Sequence, residues 1–263
     1  MKMLLFTLLA VTAAHAADPQ ITLNAKVLSI PARSPALLSA GLVIDPAGGM
    51  QNLGLLSPER AKAVIEVLNS AKGVELLSTP TVTTKDQHRA TIEMVREFIY
   101  PTEFDPGTIK NLPEGKPITL KPGETVTAIP ATPTAFEMRP LGIRIEFQPT
   151  LLADGSIDLV LAPELVSFEG LVNFGKPIQA VSADEEGNLR QATVAESNIQ
   201  QPVFQSLKTT TTVNLQPGQC LLLGGLAGGP NKLPLDKPFK GQPQPAKPDQ
   251  LIFFMIEAKI SGK

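Results

Sequence analysis

Cysteine, tryptophan, tyrosine and histidine are almost missing from this 263-residue chain, which has one Cys, no Trp, one Tyr and two His. A single Cys cannot close an internal disulfide, so the fold must hold by packing alone. The scarcity of imidazole and thiol also limits the chemistry. A Ser or Cys nucleophile is normally activated by a neighbouring base, most often His, that a third group orients. A zinc site needs three or four His, Cys or carboxylate ligands. Beyond His15 only His88 remains, in the polar cluster Lys85-Asp86-Gln87-His88-Arg89 between two strand-like runs, where a solvated turn is expected. Cys220 opens the apolar run Cys220-Leu221-Leu222-Leu223, the setting of a buried thiol that acts as a small hydrophobe. Charge of one sign is lacking too: 23 Lys+Arg against 25 Asp+Glu give a formal −2. No cationic face is then available on which phosphates could displace counterions, and no nucleic-acid partner is expected. Gly224 to Gly229 lacks the Lys-Ser/Thr ending of a phosphate loop, and Asp184-Glu185-Glu186-Gly187-Asn188 lacks EF-hand spacing and reads as a solvated acidic loop. No catalytic, cofactor-binding or metal-binding residue and no cofactor is expected, so the chain does not read as an enzyme.

Only one long apolar run stands in the sequence, and it is at the start. Lys2 precedes Met3 to Ala14, and Ala14-His15-Ala16 puts small residues at the −3 and −1 positions before Ala17. The run falls short of the ~20 residues that span a bilayer and matches a cleaved secretory signal peptide over residues 1–16. Cys220 is far from that cleavage site, so lipid attachment there is not expected. Cleavage removes Lys2 and makes the formal −2 one unit more negative.

What is abundant is proline and glycine, 25 and 20 residues, a composition that favours turns and short strands and disfavours an all-helical bundle. Ile21, Leu23, Ala25 and Val27 alternate with polar residues as in a half-buried strand ending near Pro31. Ser57-Pro58-Glu59 carries an N-cap, a proline at the first turn and an acidic residue at the positive end of the dipole. Ala61, Val64, Ile65 and Leu68 then give one apolar stripe, with Gly73 as the stop, so an amphipathic helix packed on a sheet is expected. Val74–Val82 and Ala90–Phe98 read as a hairpin about Asp86-Gln87. Prolines at 101, 106, 113, 117, 122, 130, 133 and 140 make residues 101–140 an irregular surface excursion, since no central strand tolerates them. Ile143 to Phe147, the turn Asp154-Gly155 and Ile157 to Leu161 form a hairpin. Residues 170–200 are polar and acidic and read as a loop or an insertion. Leu207–Leu215 and Gln219–Leu226 read as another hairpin about Pro217-Gly218, and 230–248 as a second Pro-rich interruption. Leu251–Ile260 is the last strand, with Phe254, Ile256, Ala258 and Ile260 on one face and Met255, Glu257 and Lys259 on the other. The expected fold class is mostly β with one amphipathic helix (α+β), divided into the signal peptide 1–16, a strand and linker over 17–56, and a β-domain over 57–263.

In that order, the helix, Leu76 to Thr84 with Pro80 at its middle, Leu141-Gly142 followed after six intervening residues by Pro149, and Gly218-Gln219 followed by Gly224-Gly225-Leu226 resemble the secretin domain of bacterial type II and III secretion and type IV pilus systems. The likeness runs from about Ile21 to Ile260. Leu141 stands where the family has Val, and after Gly225 the family's Val-Pro-x-x-Gly continuation is absent. The resemblance implies antiparallel hairpins shared into an oligomeric β-barrel in the outer membrane. It also implies homo-oligomerisation, a role in protein secretion or pilus passage, and partners among other secretion or pilus components. It implies an exported protein of the outer membrane or periplasm of a Gram-negative-type bacterium. Two features modify that expectation. The Pro-rich stretch 101–140 falls where the family places its gate, suggesting a gate reduced to a loop, and residues 17–56 leave no room for the periplasmic N-domains. Phe168, Leu171, Val172 and Phe174 are the candidate membrane-facing cluster. The other reading is a periplasmic β-scaffold, without a pore, that binds a secretin or pilus component by strand addition.

Overall fold

The computed structural model describes residues 19–44, 50–51, 54–110, 119–120, 127–183, 186, 188–227 and 250–261. The signal-peptide, 230–248 and most of the 184–188 expectations lie outside them. In chain order the main elements are β1 (Gln20–Pro31), α1 (Pro35–Ser39), β2 (Gly54–Leu56), α2 (Pro58–Ser70), β3 (Glu75–Ser78), β4 (Thr81–Lys85) and β5 (Ala90–Asp105). There follow β6 (Thr132–Leu151), β7 (Ile157–Asn173), β8 (Ile178–Ala183), β9 (Leu189–Ala195), β10 (Gln200–Lys208), β11 (Thr211–Leu215), β12 (Cys220–Ala227) and β13 (Gln250–Ser261).

Two antiparallel sheets carry the fold. The first runs β2-β12-β13-β1-β3, with β4 continuing beside β1; the second runs β10-β7-β6-β5, with β11 also paired to β7. Alternation explains how they pack. Ile21, Leu23, Ala25 and Val27 of β1 and Ile252, Phe254, Ile256 and Ala258 of β13 meet Ile143, Ile145, Phe147, Leu159 and Leu161 of the second sheet in one buried layer. The other face of β13, Leu251, Phe253 and Met255, lies with Leu222 under the apolar stripe Ala61, Val64 and Leu68 of α2. β13 is thus covered on both faces, which is why its sequence is almost continuously apolar. The α2 start matches its sequence signal, because the Ser57 hydroxyl accepts from the Arg60 N–H at 3.3 Å. Hydrogen bonding to the Glu59 backbone N–H and to Ser57 holds the Glu59 carboxyl below its ordinary range.

The expected 143–161 hairpin is present, Leu151 standing opposite Ile157 and Phe147 opposite Leu161. Its turn is fixed by Asp154, whose Oδ1 accepts from Ser156 Oγ at 2.7 Å and Ser156 N at 3.0 Å. These bonds hold the Asp154 carboxyl below its ordinary range.

Four other expectations are corrected. The segments about Asp86-Gln87 do not pair with each other: β4 pairs with β1 and β5 with β6. The turn is a corner between the sheets, pinned where Asp86 Oδ1 accepts from Leu151 N at 2.7 Å and Gln87 N donates to the Pro149 carbonyl at 2.9 Å. Pro217-Gly218 is a second corner, since β11 pairs with β7 whereas β12 pairs with β13 and β2. A period of two reports a half-buried strand but not which sheet buries it. Third, strand runs through much of 101–140 instead of a loop: β5 continues to Asp105 and β6 begins at Thr132, with Met138 opposite Ile99 and Pro140 opposite Glu97. Proline is tolerated because β5 is an edge strand and β6 has lost its second partner, its pairing with β7 stopping at Gly142. Whether the gate is reduced to a loop turns in part on residues 111–118 and 121–126, which lie outside the described residues. Fourth, 170–200 is not a loop. β7 reaches Asn173, and β8 and β9 form a hairpin from Ile178 opposite Ala195 to Ala183 opposite Leu189. The sequence conceals this hairpin because few of its residues are large and apolar.

Leu222 is fully buried between its sheet and α2. Leu222→Asp places an unpaired carboxylate there, at a cost of several kcal/mol against a typical stability of about 5–15 kcal/mol. Loss of the cooperative circular-dichroism melt is expected, and a wild-type melt would refute the strand placement. Because the folded-state pKa of Asp154 is depressed, its contribution is present above the ordinary carboxylate range of about 3.9 and is lost as pH falls through the lower folded value. Asp154→Asn should therefore melt lower than wild type at neutral pH, with the gap closing on acidification. A gap that is independent of pH would contradict this.

Candidate functional site

Among the described residues no three His, Cys, Asp or Glu side chains gather as metal ligands. His88 is exposed in its corner, with Nδ1 2.8 Å from the Asp86 carbonyl. The Cys220 thiol is buried, and desolvation, aided by the Glu257 charge, pushes its pKa up to about 11. A thiol held so far above neutrality carries almost no thiolate and is a poor nucleophile.

The distinctive geometry lies at the far end of the second sheet. Beyond the Gly142–Val166 pair, β6 leaves β7, and the sheet divides into two ribbons, β5/β6 and β7/β10. The ribbons lie one on the other. Phe98 of β5 stacks on Phe168 of β7 with centroids 5.1 Å apart. Strands two positions apart in one sheet would be separated by roughly 9.5 Å, so this contact joins two layers. Phe204 of β10 meets Phe98 edge-on at 5.7 Å and Tyr100 at 5.6 Å, and the Arg139 guanidinium stands 5.0 Å over the Phe204 ring. Gln201 Nε2 donates to the Pro101 carbonyl at 2.9 Å, tying the ribbons by a polar contact as well. Farther out, Thr119–Leu120 pairs in parallel with Val181–Ser182, so the excursion between β5 and β6 reaches the β8/β9 hairpin.

Gly142 makes the division possible. Its φ is +135°, and a Cβ there would collide with the Met94 carbonyl oxygen. Gly224 and Gly225 have a similar local task in β12: the register slips between Gly224 and Leu226, with Gly225 at φ +71° as the extra residue of a bulge. Pro149 is buried opposite Leu159, Gly218 occupies the corner after β11, and the Pro80 carbonyl accepts from Ala25 N at 2.9 Å between β3 and β4.

Of the four candidate membrane-facing residues, Phe168, Leu171 and Val172 are buried, Phe168 and Leu171 within the inter-ribbon cluster. Phe174 is 64% exposed, just past the end of β7. On the β5/β6 ribbon, Ile99 alternates with Phe98 and Tyr100 and so stands on the face turned away from β7/β10 with its partner Met138; both are exposed.

The two sheets are open on matching flanks. Residues 86–89 connect β4 to β5, and residues 216–219 connect β11 to β12. One flank therefore presents β5 with β3 and β4, and the other presents β10 and β11 with β2. Among the described residues no further strand pairs with the outer edge of any of these. Long bare edges in both layers are a liability for an isolated molecule and a template for another chain. Sequence reading identified the hairpin of β6 and β7 but missed the ribbon stacking, for which the interleaved Phe98, Tyr100, Phe168 and Phe204 were the available signal.

The chain has one Tyr and no Trp, so its near-ultraviolet fluorescence reports on Tyr100 in this cluster. Gly142→Val should separate the ribbons and raise acrylamide quenching of Tyr100, at a backbone cost of about 1–3 kcal/mol. Unchanged quenching would show that the ribbons do not depend on that glycine.

A family model described as bacterial type II and III secretion system protein matches residues 67–232. No curated protein matches the chain. Among solved structures, the chain is similar to the Salmonella SPI-1 type III secretion injectisome secretin InvG, at 17% identity over 94% of this chain and 66% of that one, with a TM-score of 0.39. It is also similar to the type II secretin GspD of enteropathogenic Escherichia coli, at 15% identity over 94% of this chain and 71% of that one, with a TM-score of 0.38. The chain thus spans about two thirds of the InvG chain, and 47% of InvG in the basal-body assembly with PrgH and PrgK.

Proposed function

From a chain that belongs to the secretin family of bacterial type II and III secretion system proteins, we propose an exported envelope component whose copies join side by side into an outer-membrane channel for protein secretion or pilus passage. The observation that carries this reading is the pair of open flanks. Edge strands at both ends of the second sheet can be satisfied only by other strands or by water, and head-to-tail addition of identical copies satisfies all of them when the rotation closes. Closure of such a series is a barrel, in which each copy contributes its β7/β10 ribbon to the wall and its β5/β6 ribbon to an inner layer. The absence of a long apolar helix among the described residues is compatible, because barrels cross membranes with strands. Phe174 is the residue of the candidate cluster that a bilayer can reach, since the other three are covered. Other secretion or pilus components are the expected partners that place the ring in the envelope, and the chain's work is passage rather than catalysis.

The test is expression of the full chain in a Gram-negative host, followed by membrane fractionation and electrophoresis without boiling. Multimers resistant to detergent and located in the outer-membrane fraction are expected, with reduced retention there for Phe174→Asp. A soluble periplasmic monomer at every concentration would overturn the channel and favour a scaffold acting by strand addition.

A further inference from the structure

One rung of charges crosses the whole second sheet just before it divides. Glu93 of β5 stands opposite Arg144 of β6, Arg144 opposite Glu164 of β7, and Glu164 opposite Lys208 of β10. The signs alternate from edge to edge. Arg144 Nε lies 3.1 Å from Glu93 Oε1 and Lys208 Nζ 3.7 Å from Glu164 Oε2, and Ser206 Oγ donates to Glu164 Oε1 at 3.0 Å. The rung therefore starts with an anion on one open edge and finishes with a cation on the other, the Glu93 and Lys208 side chains still 49% and 60% exposed. On the opposite face the neighbouring residues are apolar at both edges. Met94 is half-exposed, with its Sδ accepting from Ser78 Oγ, and Leu207 packs partly against the core between the sheets. Strand direction matches as well: each of β10, β7, β6 and β5 runs antiparallel to the next, so β10 and β5 point in opposite directions.

We infer the register of a seam between copies: Lys208 of one copy stands opposite Glu93 of the next, and the rung continues through successive molecules as one alternating line of charge. The occupant is a second copy because the two ends of a single rung are complementary in charge, and antiparallel pairing at this register also sets Leu207 against Met94. Other registers lose one match or the other. A slip of one residue turns Lys208 to the face away from Glu93. A slip of four brings it to Glu97 but sets Leu207 against Phe98, whose ring is already covered within its own copy by Phe168 and Phe204. Opposite charges across a strand pair are favourable and like charges are not, so the rung selects register more than it adds affinity. The inference rests on the side-by-side assembly proposed above and adds which residues face each other across it.

Disulfide trapping in the full chain within membranes tests it. In the inferred register Val95 stands opposite Ser206 of the neighbouring copy, where Cα atoms about 4.5–5.5 Å apart permit a disulfide. Within one copy Val95, Gly142, Val166 and Ser206 lie on successive strands, so the same two positions are three strand spacings, roughly 14 Å, apart and cannot be joined. Val95→Cys with Ser206→Cys keeps both terminal charges, and buried Cys220 stays out of the reaction. Oxidation followed by denaturing, non-reducing electrophoresis should give a ladder of linked copies from this pair and none from Ile99→Cys with Ser206→Cys, which reads the register slipped by four. A ladder from the second pair, or intact multimers with a ladder from neither, would overturn the register while leaving the ring standing. Absence of multimers from the wild type would overturn both. Adding Glu93→Lys to the first pair sets like charges across the seam and should lower the ladder yield about fivefold, the upper end of what an exposed ion pair is worth. An unchanged yield would refute the charge pairing.

Discussion

The buried layer between the two sheets is the contact on which the rest of this molecule depends. Ile21, Leu23, Phe254 and Ile256 from one side and Ile145, Phe147, Leu159 and Leu161 from the other are almost completely removed from water. Dense packing of this kind allows few relative placements of the sheets. It therefore fixes which edges lie together on each flank, and hence what a neighbouring molecule would meet. The α2 layer repeats the logic on the outer face of the first sheet, and β13, apolar on both faces, contributes to both layers, as do β1 and β12.

Where that layer ends, a different physics takes over. Past Gly142 no described residue of the first sheet joins the cluster on the second, and an uncovered sheet of aromatic residues is unfavourable in water. The chain resolves this by folding the sheet onto itself: β6 departs from β7, and the two ribbons bury Phe98, Phe168, Leu141 and Leu171 between them. The Arg139 guanidinium over Phe204 and the Gln201 contact to the Pro101 carbonyl add direction to what would otherwise be a sliding apolar contact. A two-layered end of this kind buries one face of each ribbon against the other and leaves the opposite face of each outward.

Much of the fold was legible in the sequence because local chemistry dictated it. Ser57-Pro58-Glu59 with the Ala61, Val64 and Leu68 stripe specified α2, Asp154-Gly155 specified the hairpin of β6 and β7, and the alternation of Leu251–Ile260 specified the last strand, whose cover on both faces only the structure shows. The errors share a cause. The corners at Asp86-Gln87 and Pro217-Gly218 looked like hairpin turns because adjacent strands usually pair. The prolines of 101–140 looked prohibitive because their cost was judged for a strand with two neighbours. Of the candidate membrane-facing cluster, burial separated Phe168, Leu171 and Val172 from exposed Phe174, a distinction that apolar character alone does not make.

By itself the sequence determined α2, the faces of most strands it identified, and the secretin resemblance carried by Gly142, Pro149, Gly218, Gly224 and Gly225. These follow from periodicity, caps and backbone constraints, all of which act over a few residues. Only the tertiary structure decided which sheet each strand joined, that β6 has one neighbour beyond Gly142, and that open edges of both sheets coincide on two flanks. Those depend on contacts between residues far apart in the chain, where equally apolar faces compete and only the packing of the whole selects among them.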